Sequence, residues 1–148
     1  MGNAPRGGGP VSESPIDKLL QAVDAFDIDG VMALVAPDVR LLVADGRRVE
    51  GSDAVRELLT RFVADLRSTA HRITAEWHPD DVWIAEAQAD YELRDWLQLT
   101  AVPRAFVLYE GPDGIRDLRV YGAHEHPITE HRTGEEGMRI GDRWIPPL

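Results

Sequence analysis

From Val82 to His124 the chain alternates apolar and polar residues with period two across three successive stretches, Val82–Arg94, Leu97–Glu110 and Gly114–His124. This pattern constrains the fold more than anything else in the sequence, because a period of two is the signature of strands with one dry face. In the first stretch Ala85, Ala87, Ala89, Tyr91 and Leu93 share a face, and Glu86, Gln88, Asp90, Glu92 and Arg94 share the other. Leu97, Leu99, Ala101, Ala105, Val107 and Tyr109 continue the dry face on the second stretch, and Leu118, Val120 and Gly122 on the third. A preceding strand over His71–His78 puts His71, Ile73, Ala75 and Trp77 on one side, and Pro79-Asp80-Asp81 turns it into the meander. Strands of about thirteen residues would run roughly 43 Å if straight, so they must coil or carry bulges. A bent antiparallel sheet with one apolar face needs helices in its concavity.

The first half of the chain supplies them. Ser14 caps a helix over Pro15–Phe26 whose stripe is Ile16, Leu19, Leu20, Val23 and Phe26. Asp27 or Asp29 caps a short second helix with Val31, Met32, Leu34 and Val35 inward, and Pro37 stops it. Asp38–Ala44, the turn Asp45-Gly46 and Arg47–Glu50 read as a small hairpin. Ser52 caps a third helix, with Val55, Leu58, Leu59, Phe62, Val63 and Leu66 buried. Helices followed by consecutive strands indicate an α+β domain. Met1–Ser14 is rich in glycine and proline and reads as a disordered tail, residues 15–128 as the domain, and 129–148 as an extension. Within that extension Met138–Ile145 reads as a short hairpin about Gly141-Asp142, with Trp144 able to cover a pocket mouth or a partner.

Composition excludes several classes of function. The chain has 148 residues, no cysteine and a formal charge of −10. Disulfides and thiolate chemistry are therefore unavailable, and an acidic surface without a basic stripe does not suit nucleic acid. No apolar run is long enough to span a membrane, and no signal peptide is visible, so a cytoplasmic location is expected.

Three segments resemble a known family. Phe26–Val39 is similar to the helix–helix–strand opening of the nuclear transport factor 2-like superfamily, most closely its SnoaL-like, polyketide cyclase-like branch. Val49–Val55 resembles that family's step from hairpin through glycine into the third helix, and Gly114–Tyr121 its last strand. The resemblance covers about Ile16–Ile128 and implies a cone-shaped cystatin-like roll, with three N-terminal helices packed in the concavity of a strongly curved antiparallel sheet around an apolar pocket. It implies no single reaction, since one scaffold hosts many. Where ketosteroid isomerases of this fold carry their aspartate base, the sequence has Val43; Asp45 follows two residues on. The Arg-x-Asp pair of its epoxide hydrolases is matched only by adjacent Arg94-Asp95, and the cyclase acid position by Ala123 or His124.

The expected site follows from parity and resemblance together. His124 continues the inward face of Leu118 and Val120 and is the candidate acid/base, assisted by Glu125 or by His71, which shares a face with Ile73. Phe26, Leu59, Phe62, Trp77, Tyr91, Leu99, Val107 and Val120 are the expected pocket wall. The spacing His124-x-His126, with His131 beyond, lacks a placed carboxylate, so no metal and no cofactor is expected. Two functions stay open: a cofactor-independent cyclase- or isomerase-type enzyme acting on a polycyclic or hydrophobic metabolite, and a non-catalytic ligand-binding or accessory protein. Both take an apolar small molecule. Val102, Arg104, Phe106 and Leu108 fall on the opposite parity, and apolar residues on an outer sheet face suggest a homodimer.

Overall fold

In the computed structural model residues 6–7, 14–122, 138–140 and 143–145 are described. Local chemistry sets the helices. The Ser14 hydroxyl accepts the Asp17 N–H at 3.1 Å and Pro15 opens α1 (Pro15–Asp24), which buries Ile16, Leu19 and Leu20. Asp27 caps α2 (Ile28–Leu34) by accepting the Gly30 N–H at 2.9 Å, deciding between the two candidate aspartates. At α3 (Ser52–Ala64) the cap is Gly51, not Ser52. Its φ of +89° lies in the left-handed region that glycine enters without a Cβ penalty, so the backbone rather than a hydroxyl makes the turn.

The strands are β1 (Arg6–Gly7), β2 (Val35–Leu42), β3 (Arg48–Glu50), β4 (Leu66–Trp77), β5 (Val82–Leu93), β6 (Gln98–Gly111), β7 (Gly114–Gly122), β8 (Met138–Ile140) and β9 (Arg143–Ile145). Seven of them form one sheet in the order β1-β4-β5-β6-β7-β2-β3. Every neighbouring pair is antiparallel except β2 and β7. The three helices pack on its concave face, giving the α+β cone that the strand pattern requires. The main core joins Ile16, Leu19 and Leu20 of α1 and Val55 of α3 to Ala85, Ala87, Phe106 and Leu108 of the sheet. A second cluster gathers Leu66, Ala89, Tyr91 and Leu93. β8 and β9 pair antiparallel as the sequence predicts, and Gly141-Asp142 lie outside the described residues. β1 was not foreseen: Arg6 and Gly7 pair with Glu76 and Ala75, inside the segment read as a tail.

Two bulges redirect the side chains. On β4 the register shifts between Ile73 and Ala75, so His71 and Ile73 stay inward while Glu76 takes the next inward place opposite Ala85. Ala75 and Trp77 turn to the outer face opposite Glu86 and Ile84. On β6, Leu99 pairs with Tyr91 but Val102 pairs with Ala89, which leaves one extra residue at Thr100-Ala101. Ala101 has φ +53°, and its N–H donates to Asp90 Oδ1 at 2.7 Å, so a side chain from β5 fastens the bulge. Beyond it the parity inverts: Arg104, Phe106 and Leu108 are buried, and Val107 faces out with Ile84 and Arg119 as its cross-strand neighbours. The expected outer set Val102, Arg104, Phe106 and Leu108 therefore lies inside, and the surface argument for a homodimer loses those residues.

Candidate functional site

A cavity of about 340 Å³ lies between α1, α3 and the concave face, within the size range of small-molecule sites. Its wall is mostly aliphatic: Leu19, Leu20 and Val23 from α1, Val55, Leu58 and Leu59 from α3, and Val39, Leu41, Leu118 and Val120 from the sheet. Val43 and Ala44, after β2, line it beside Arg47 and Arg61, whose side chains are 53% and 77% exposed. The cavity thus opens between the β2–β3 turn and the end of α3. Both rim arginines are paired, Arg47 with Asp45 at 2.6 Å and Arg61 with Glu57 at 2.5 Å.

Of the expected wall, Leu59, Phe62, Tyr91 and Val120 line the cavity. Trp77 and Val107 do not, because the two bulges turn them outward, and Phe106 takes the place assigned to Val107. Phe26 and Leu99 pack against the second cluster instead: φ of +55° at Phe26 takes its backbone out of the helix, and Leu99 precedes the bulge. His124 and Glu125 lie outside the described residues.

The polar residues of the wall gather at His71, Tyr91 and Arg104, apart from the rim residues and Asp65. His71 sits on β4 with its side chain 6% exposed, and its ring meets Tyr91 and Phe106 edge-on at 6.1 Å between centroids. Its Nδ1 lies 2.7 Å from Asp24 Oδ1, and its backbone N–H donates to Asp24 Oδ2 at 2.8 Å. One carboxylate at the end of α1 therefore holds both the main chain and the ring of the same residue. A carboxylate only accepts, so Nδ1 carries the proton, and in the neutral ring Nε2 presents its lone pair on the far edge. This is the arrangement by which an acid orients an imidazole for proton transfer.

Arg104, on β6, is 5% exposed. Its Nε lies 3.3 Å from the Tyr91 hydroxyl, which accepts, while Nη1 and Nη2 are buried without a hydrogen-bond partner among the described residues. Gly122 on β7 provides its space, because a Cβ there would collide with Nη1 and approach the Pro103 carbonyl to 2.9 Å. Among the described residues no group of three or more metal-ligating side chains occurs, and no helix is long and apolar enough to cross a membrane.

Asp24 and Arg104 were both missed by the sequence reading. Asp24 follows Leu20 by four residues and so flanks the buried stripe of α1, which is the signal that could have found it. Arg104 alternates with Val102, Phe106 and Leu108, a pattern that makes sense facing inward once one residue is looped out before it.

A family model of SnoaL-like domains matches residues 16–110. The chain belongs to the SnoaL-like family. Among solved structures, this SnoaL-like chain is similar to a hypothetical protein with a ketosteroid isomerase-like fold from Catenulispora acidiphila, bound to trimethylamine, at TM-score 0.69 and 17% identity, covering 84% of this chain and 95% of that one. An LEH-like epoxide hydrolase from M. tuberculosis gives TM-score 0.65 at 18% identity, covering 73% and 79%. An NTF2-like protein of unknown function from Burkholderia pseudomallei gives 0.66 at 14%, covering 74% and 88%. Such identities establish the fold and leave the reaction open. No curated protein sequence matches the chain.

Proposed function

We propose that this SnoaL-like protein is a cofactor-independent enzyme that moves a proton on an apolar small molecule held in the cavity, with His71 as the general base and acid and Asp24 as its positioning residue. The observation that carries the reading is the double attachment of His71 to Asp24, at 2.7 and 2.8 Å, in a wall that is otherwise largely aliphatic. A histidine needed only for packing has no use for a carboxylate that fixes its tautomer. An oriented base in a dry cavity is what proton abstraction from carbon needs, because the reacting pair meets at fixed distance with little competing water. Tyr91, in edge contact with the imidazole, and Phe106 shape the substrate's place beside Nε2. His124, the base expected from sequence, is not required by this reading.

The test uses 5-nitrobenzisoxazole, an uncharged, flat carbon acid. A base removes its C3 proton, the N–O bond breaks as the electron pair moves onto oxygen, and the coloured 2-cyano-4-nitrophenolate is released. Wild type is expected to accelerate this reaction saturably. His71→Ala should lose roughly 10²–10⁴-fold in kcat, the usual contribution of a positioned base. Equal rates for wild type and His71→Ala would leave a binding protein of the same fold, which is the competing reading.

A further inference from the structure

We infer that the cavity is built for an acid: an apolar molecule bearing a carboxylate, which Arg104 grips end-on through Nη1 and Nη2. The inference rests on the cavity being a ligand site, as proposed above, and adds the ligand's charge.

Three observations lead there. Arg104 is a cation only 5% exposed, and among the described residues neither of its Nη groups has a hydrogen-bond partner. Buried arginines are ordinarily paired, since removing an unpaired cation from water is among the most expensive things a fold can do. Every other arginine named on the cavity wall has a carboxylate of its own, Arg47 with Asp45 and Arg61 with Glu57; among the described residues Arg104 has no carboxylate and meets only Tyr91, through the hydroxyl at Nε and the ring face 5.9 Å away. Finally, the position is prepared rather than accidental. The bulge at Ala101 turns Arg104 inward, and Gly122 leaves the gap that Nη1 fills.

Among the described residues no acceptor meets the edge between its two Nη atoms. A carboxylate fits that edge with two parallel hydrogen bonds, whereas a neutral amide offers a single acceptor and an N–H₂ that opposes the donors. The apolar wall around it then takes the rest of the molecule, and His71 shares that wall. The substrate of the proposed reaction is accordingly a hydrophobic carboxylic acid. Its carboxylate is the handle, and the proton transferred to or from His71 lies elsewhere on the same molecule.

The experiment compares 2-naphthoate with its neutral isostere 2-naphthamide by calorimetric titration of the full chain at fixed pH and ionic strength. Wild type is expected to bind the acid at least tenfold more tightly than the amide. Arg104→Met should remove that preference by weakening the acid and leaving the amide unchanged, and its ligand-free melting temperature should rise, because a charge without a partner has been replaced by a thioether of similar length. Equal binding of acid and amide by wild type, a comparison that needs no variant to fold, would overturn the acid while leaving the cavity and the His71 chemistry standing. An acid preference that survives Arg104→Met would assign it to another cation and overturn the inference as well. Binding of neither compound would remove the ligand site itself and both readings with it. Because 5-nitrobenzisoxazole is uncharged, its turnover reports on His71 independently of this result.

Discussion

Two polar groups on the same cavity wall, His71 on β4 and Arg104 on β6, are treated in opposite ways. At the end of α1, the donors of His71 on its main chain and at Nδ1 are both met by Asp24 before any ligand arrives. On β6, Arg104 is buried with two donor groups that no described residue meets. A satisfied group is held in one orientation and can act on whatever comes near it; an unsatisfied buried charge raises the energy of the empty state and lowers it only when a partner enters. The first arrangement suits chemistry, the second recognition. Stability is therefore expected to respond with opposite signs when each is removed.

The largest effect concerns the satisfied pair. Asp24→Asn keeps the shape but lets an amide N–H₂ face the ring, which favours the wrong tautomer, so turnover of 5-nitrobenzisoxazole should fall by about 10²–10⁴-fold with little change in KM. Nitrogen-detected NMR of the labelled ring should show the Nδ1–H tautomer in wild type and its loss in the variant. Retention of both rate and tautomer in Asp24→Asn would detach the carboxylate from the mechanism.

The next effect is on folding. Asp24→Ala leaves two largely buried donors unpaired and should lower stability by about 2–6 kcal/mol, at about 1–3 kcal/mol per donor. Arg104→Met should instead raise it by about 1–3 kcal/mol, since an apolar replacement removes an uncompensated charge. Urea midpoints at unchanged slope measure both. If both variants were destabilised alike, Arg104 would be a structural partner in the same sense as His71, and the contrast between the two sites would collapse.

Much of this architecture was legible in the chain, for identifiable reasons. The period-two run through Ala85, Ala87, Ala89 and Tyr91 predicts the buried face of β5 because no register shift interrupts that strand's alternation, and Ser14 with Pro15 marks the start of α1 unambiguously. The errors arise at bulges. One extra residue at Thr74 or at Thr100-Ala101 inverts every side chain that follows, and neither site carries the glycine that usually announces such a break. Trp77, Val107 and Arg104 were all misplaced by this mechanism. The site itself was half legible: His71 could be placed on an inward face from its own strand, but Asp24 is distant by 47 positions, and no local pattern links a helix end to a strand across that separation.

The bulge on β6 is thus what puts a cation inside the cavity, and it gives the smallest and most specific prediction. Ala101 holds φ of +53°, a conformation that costs an alanine about 1–2 kcal/mol, and Asp90 Oδ1 compensates by accepting its N–H. Ala101→Gly removes the strain at some entropic cost and should stabilise the fold by about 0.5–1 kcal/mol. Asp90→Ala loses the hydrogen bond at an exposed position and should destabilise it by about 1 kcal/mol. Opposite signs from neighbouring positions on adjacent strands are the mark of a strained but fastened bulge; a loss of stability in both would mean that Ala101 is not strained. Loosening the fastening should also blur the direction of Arg104, so Asp90→Ala, though remote from the cavity, is expected to narrow the acid-over-amide preference without affecting turnover of the uncharged probe. That separation would locate the origin of charge recognition in the bulge and leave the imidazole, on its own undisturbed pair of hydrogen bonds, as it was.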